Sequence, residues 1–137
     1  LLAPGGVMVH QVDLRDHGMF SAGGRHPLEF LTLRGPLYHL MTSHTGAPNR
    51  ERVGNYRELL RGLGHEAKIG VTNVGGGRDY LTSTPEQLVV GRDLAPELAQ
   101  SIERLRPRLA PPFAGLPVEE LAATAIVIQS RKPSAPG

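Results

Sequence analysis

At 137 residues, with 39% hydrophobic and 20% charged residues, the chain has the composition of one globular domain with a modest core, and disorder is excluded. The net charge is only +2, the bases are nearly all Arg scattered along the chain, and Trp is absent, so the basic and aromatic interleaving of a nucleic-acid platform is missing and no nucleic-acid partner is expected. Cysteine is absent, which excludes disulfides and thiolate metal sites; no apolar run suits a secretory signal or a membrane span, so a cytoplasmic chain with no membrane partner is expected.

Residues 1–18, LLAPGGVMVHQVDLRDHG, organise the reading. Pro4-Gly5-Gly6 stops a helix and makes a turn. Val7, Met8, Val9, Val12 and Leu14 then give a strand apolar on one face and nearly so on the other, the pattern of a parallel strand covered on both faces. Asp13, Asp16 and His17 gather just past its carboxyl end, the edge where ligands bind in open α/β sheets.

A glycine-containing loop, Met19 to Pro27, leads to a short apolar patch at Leu28 to Leu33 that Gly35-Pro36 breaks, and Leu37 to Met41 predicts another short turn. Thr42 to Val53 is polar and reads as loop. Asn55 is the expected N-cap of a helix, with Glu58 in the capping-box position; Tyr56, Leu59, Leu60 and Leu63 form its apolar stripe and Gly64 closes it. Alternation through Ala67, Ile69 and Val71 predicts a strand from Glu66 to Val74. Strand, excursion, helix and strand make a right-handed crossover with the two strands parallel, which brings Asn49, Arg50 and Arg52 near Asp13 to His17.

Gly75-Gly76-Gly77 ends that strand, and Tyr80 to Asp93 is irregular. Pro96 opens a helix marked by Leu98, Ile102, Leu105 and Leu109, which Pro107 bends or ends and Pro111-Pro112 stops. A single turn at Pro117 to Leu121 precedes a last strand, Ala122 to Ser130, and a loose tail.

His10, Asp13, Asp16 and His17 approach the metallo-hydrolase pattern H-x-H-x-D-H, but Val12 and Leu14 stand where its first two histidines belong. His10 and Asp13 also point to opposite faces of a strand, so no metal site is expected. A metal-dependent hydrolase using this cluster is kept as an alternative, beside the plainer reading in which Asp16 caps the loop backbone. The glycine clusters complete neither phosphate-loop nor dinucleotide patterns, and there is no G-x-S-x-G elbow. His65 suits a helix end; His26, His39 and His44 have no partner evident from sequence.

Several segments together resemble the C-terminal half of a class I S-adenosylmethionine-dependent methyltransferase. They are Leu1-Leu2-Ala3-Pro4-Gly5-Gly6, similar to an L-x-PGG turn, and His10-Gln11-Val12-Asp13-Leu14-Arg15-Asp16-His17, similar to the strand and loop that follow in one bacterial subgroup. Asn49-Arg50-x-Arg52, Tyr56-x-x-Leu59-Leu60, Gly64-His65-Glu66 and Leu121 to Lys132 continue the likeness. The resemblance implies an α/β fold, the C-terminal portion of a Rossmann-like sheet with two parallel strands plus one antiparallel. Residues 1–131 would form that half-domain, with 75–120 a substrate-side insertion and 132–137 a tail.

It further implies methyl transfer from S-adenosylmethionine to a small-molecule or glycan acceptor. By this likeness His17 is the candidate general base, with Asp13 or Asp16 orienting it, and Asn49, Arg50 and Arg52 bind the acceptor; the plainer reading of the two arginines is loop-anchoring salt bridges. The family's glycine-rich cofactor loop and the acidic residue ending its second strand do not occur in these residues. The partner implied is therefore the missing N-terminal half of the domain, in a longer or split enzyme, and the chain alone is expected to be inactive. A non-catalytic pairing module is the other alternative.

Overall fold

The computed structural model describes residues 2–75 and 83–134; Leu1, Gly76, Gly77, Tyr80 and the end of the tail lie outside these. Three strands, β1 (Val7–Asp13), β2 (Glu66–Val74) and β3 (Ala123–Arg131), form one sheet in the order β1-β3-β2. β3 is antiparallel to both neighbours, with Val12 and Val71 each opposite Ile126, and His10 and Ile69 each opposite Ile128.

This corrects the Rossmann-like fold class expected from the sequence. Every paired strand in the sheet is antiparallel. β1 and β2 point the same way but exchange no ladder hydrogen bonds, because β3 lies between them and takes the bonds of both. The expected cover on both faces is also corrected. Val12, Ile69, Val71, Ile126 and Ile128 share one face and are buried, each contributing about 1.5–3 kcal/mol. Between them Val9, Gln11, Lys68 and Gln129 point to the other face and are exposed, Val9 by 66%. The outer edge of β1 pairs with no strand among the described residues.

The helices gather at the buried face and around the strand ends. α1 (Gly35–Thr42) and α2 (Val53–Gly62) lie between β1 and β2; α3 (Pro96–Leu105), α4 (Pro111–Ala114) and α5 (Val118–Ala122) lie between β2 and β3. Pro96 opens α3 as expected, and Pro107 falls in a 3-10 turn, Arg106–Arg108, that ends it. Pro111, expected only to stop a helix, instead starts α4, where a missing N–H costs nothing. Ala99, Ile102 and Leu105 bury one stripe of α3.

α2 departs from its expected form. It begins two residues before Asn55, with Arg52 at the N-cap position and no side-chain cap of its own. The cap comes from a distance: Gly54 N–H donates to the Glu120 carboxylate at 2.9 Å. The stripe is also incomplete, since Leu60 is buried but Leu59 and Leu63 are exposed.

Arg52 is only 1% exposed. Its guanidinium donates to Leu14 O at 3.4 Å and Ala123 O at 3.5 Å, and its centre lies 5.4 Å from that of the Phe30 ring. Burial pulls its pKa down to about 10, which the charge of Glu120 partly offsets, so it stays protonated at neutral pH. The side chain thus joins the end of β1, the start of β3, the loop turn at Glu29–Leu31 and the head of α2. Arg52→Ala is expected to destabilise the fold by about 3 kcal/mol, since two buried carbonyls and Glu120 lose their cation. A urea unfolding midpoint unchanged by the substitution would show that this clamp is idle.

Candidate functional site

The loop after β1 turns sharply. His17 has φ 53, the left-handed region, and Gly18 follows at φ 79. Asp16 makes the turn possible. Its carboxylate accepts the N–H groups of Gly18, Phe20 and Ser21 at 2.7–3.0 Å and the Ser21 hydroxyl at 2.9 Å. Burial alone would raise its pKa, but these four donors outweigh burial and hold it below the ordinary 3.8. All its bonds lie within the loop, so Asp16 shapes the turn and does not reach the His17 ring.

Asp13 and His17 do come together. His17 Nε2 lies 3.4 Å from Asp13 Oδ2, with the imidazole 63% exposed. Asp13 is shared, however. Arg15 grips it with its own N–H at 2.9 Å and a two-pronged guanidinium contact at 2.5–3.1 Å. That hydrogen-bonded guanidinium, ahead of its charge and that of His17, holds the Asp13 carboxyl below its usual value. Sequence reasoning passed over Arg15, although its spacing of two from Asp13 is the available signal.

Beneath His17 is a cavity of about 140 Å³ lined by Leu14, Arg15, Asp16, Pro27, Leu28 and Thr124 as well as His17. That is close to the volume, about 150 Å³, that admits a benzene ring. It is well below the roughly 300 Å³ at which pockets for larger ligands begin. The residues around it do not fit S-adenosylmethionine as a whole.

Asn49 lies beside this loop: its amide donates to Asp13 O at 3.5 Å and to the Tyr56 hydroxyl at 2.7 Å. Arg52 touches the same loop from inside, at Leu14 O. Arg50 turns elsewhere. It donates to Leu33 O at 2.6 Å, with its guanidinium carbon 4.4 Å from the ring centre of Tyr38 and 4.8 Å from that of Phe113. None of these three lines the cavity.

The other histidines carry less chemistry. His26 is partly buried and has a partner that the sequence did not reveal. Leu28 N–H donates to its Nδ1 at 3.1 Å, so Nε2 carries the proton and donates to Ser101 Oγ at 3.1 Å. Ser101 in turn donates to Leu98 O at 2.7 Å. A serine hydroxyl that accepts a hydrogen bond from its histidine is not an activated nucleophile. Among the described residues no three His, Asp or Glu side chains converge as metal donors, and His10 stands on β1 apart from the loop.

The network at Asp16 has a pH signature. Its folded pKa lies below the unfolded value, so its stabilisation is complete above about pH 4 and is lost as pH falls through the folded pKa. Asp16→Asn is expected to unfold more easily than the parent at pH 7, by about 1–2 kcal/mol, with the gap closing under acid. Urea melts across that range check both parts. In comparisons with known proteins the chain matches no family model, no curated protein and no solved structure.

Proposed function

We propose that the chain takes part in methyl transfer from S-adenosylmethionine to a small-molecule or glycan acceptor, within a longer or split enzyme. The observation that carries the reading is the meeting of two separated segments. The loop at 13–17 and the stretch at 49–52, both parts of the set of segments that together resembles the methyltransferase subgroup, touch through Asn49–Asp13 and Arg52–Leu14. The exposed face of the sheet and the free edge of β1 support the longer or split form, since both are surfaces that another part of a domain can cover. They support the alternative of a pairing module equally well. The hydrolase alternative gains nothing from the geometry, because Asp16 is occupied by backbone donors and His10 stands apart.

The residues in hand define one chemical role. His17, exposed beside the cavity, would take up the proton of an acceptor hydroxyl, with Asp13, 3.4 Å from its Nε2, orienting the ring. Arg15 weakens that help by holding Asp13 for itself. The donor would be held by the N-terminal half of the domain that the resemblance implies.

Two results test the reading. Coding sequence upstream of Leu1 is expected to encode a strand followed by G-x-G-x-G; a different upstream segment favours the pairing module. In the enzyme expressed with that segment, His17→Ala is expected to lower turnover by roughly 10²–10⁴-fold with little change in S-adenosylmethionine affinity. Labelled-methyl incorporation into a panel of glycans and small hydroxyl compounds measures this. Undiminished turnover removes His17 from the reaction.

A further inference from the structure

α1 is built inside out. Tyr38 and Thr42, one turn apart, form its buried side, and both satisfy their hydroxyls internally, Tyr38 on Pro48 O and Thr42 on Tyr38 O. Leu37, Leu40 and Met41, spaced i, i+3 and i+4, form the opposite side and face outward, 47%, 73% and 51% exposed. The Phe20 ring lies 6.0 Å from that of Tyr38 on the buried side. A helix that turns its apolar stripe outward marks a contact surface.

The charge around this stripe indicates what covers it. Between His17 and Arg50 the sequence has a single carboxylate, Glu29, and that one is paired with Arg108. Arg25, Arg34, His39 and His44 are exposed on the same excursion. The stripe thus has Arg34 at the N-cap of its own helix and His39 in the last turn, and the one carboxylate of the excursion is already paired. The protruding residues are Leu and Met on a convex helix, without the exposed Trp, Tyr or Phe anchors that protein interfaces favour. A fluid anionic surface needs no matching pocket and accepts such side chains directly.

We propose that the excursion between β1 and α2 docks on an anionic lipid bilayer, with Leu37, Leu40 and Met41 inserted at the headgroup boundary and Arg25 and Arg34 against the lipid phosphates. No described helix is long and apolar enough to cross a membrane, so the contact is peripheral. It revises the expectation of no membrane partner, which weighed only spanning segments, and it does not depend on the methyltransferase reading.

Flotation of the whole chain with vesicles tests it, because aggregated protein stays at the bottom of the gradient. The chain is expected to float with phosphatidylcholine vesicles containing phosphatidylglycerol, less with phosphatidylcholine alone, and less as salt rises. Leu40→Glu is expected to weaken binding by roughly tenfold or more, the worth of one inserted leucine. Leu40 is so exposed that the variant keeps the fold, which circular dichroism checks. Arg25→Gln with Arg34→Gln is expected to remove the preference for anionic vesicles. Failure to float, equal floating with neutral vesicles, or floating unaffected by Leu40→Glu overturns the proposal. Self-association abolished by Leu40→Glu, without floating, assigns the stripe to a second copy instead.

Discussion

The fold depends on a cation held under its core. Arg52 reaches the carbonyl that ends β1 and the one that begins β3, beneath an aromatic ring from the first excursion. A buried guanidinium is costly unless its charge and hydrogen atoms find partners. Here Glu120 supplies the opposing charge and also caps α2 through Gly54. Sheet, α2, the excursion between β1 and α2, and α5 are therefore tied at one place. The loop that carries His17 leaves the sheet from that same place, so the geometry of the site inherits its rigidity from an interaction that is not in the site.

What could be read from the sequence follows from how local each cause is. The bounds of β2 were legible because Ala67, Ile69 and Val71 alternate, and α3 because Pro96 and a helical stripe mark it. The start of α2 was not, because its cap is a carboxylate 66 residues away. Leu59 and Leu63 keep the spacing of a buried stripe and yet face outward, since spacing reports a shared side and not what covers it. The parallel sheet was the largest error: in sequence β1 and β2 read as parallel strands of one crossover, whereas each pairs antiparallel with β3, which separates them. Hydrophobic runs say that strands exist; which strand pairs with which is a long-range choice that no short window contains.

The same division runs through the candidate site. Asp16 as a loop cap was within reach, because an aspartate before His-Gly invites backbone donors. The hold of Arg15 on Asp13 and the proton held on His26 Nε2 come from side-chain geometry and were invisible. They matter in opposite ways. One tempers the acid–imidazole pair near the cavity, and the other disqualifies the histidine–serine pair at His26 and Ser101 as a nucleophile and its base.

The bond from Gly54 to Glu120 has a consequence for motion. α5, which carries that carboxylate, is the last element before β3, and α3 packs against it. Loosening these helices would free the first turn of α2, and with it the loop at 49–52. The helices between β2 and β3 and the approach to His17 are thus coupled through one hydrogen bond, and a ligand that ordered either side would slow amide exchange in both.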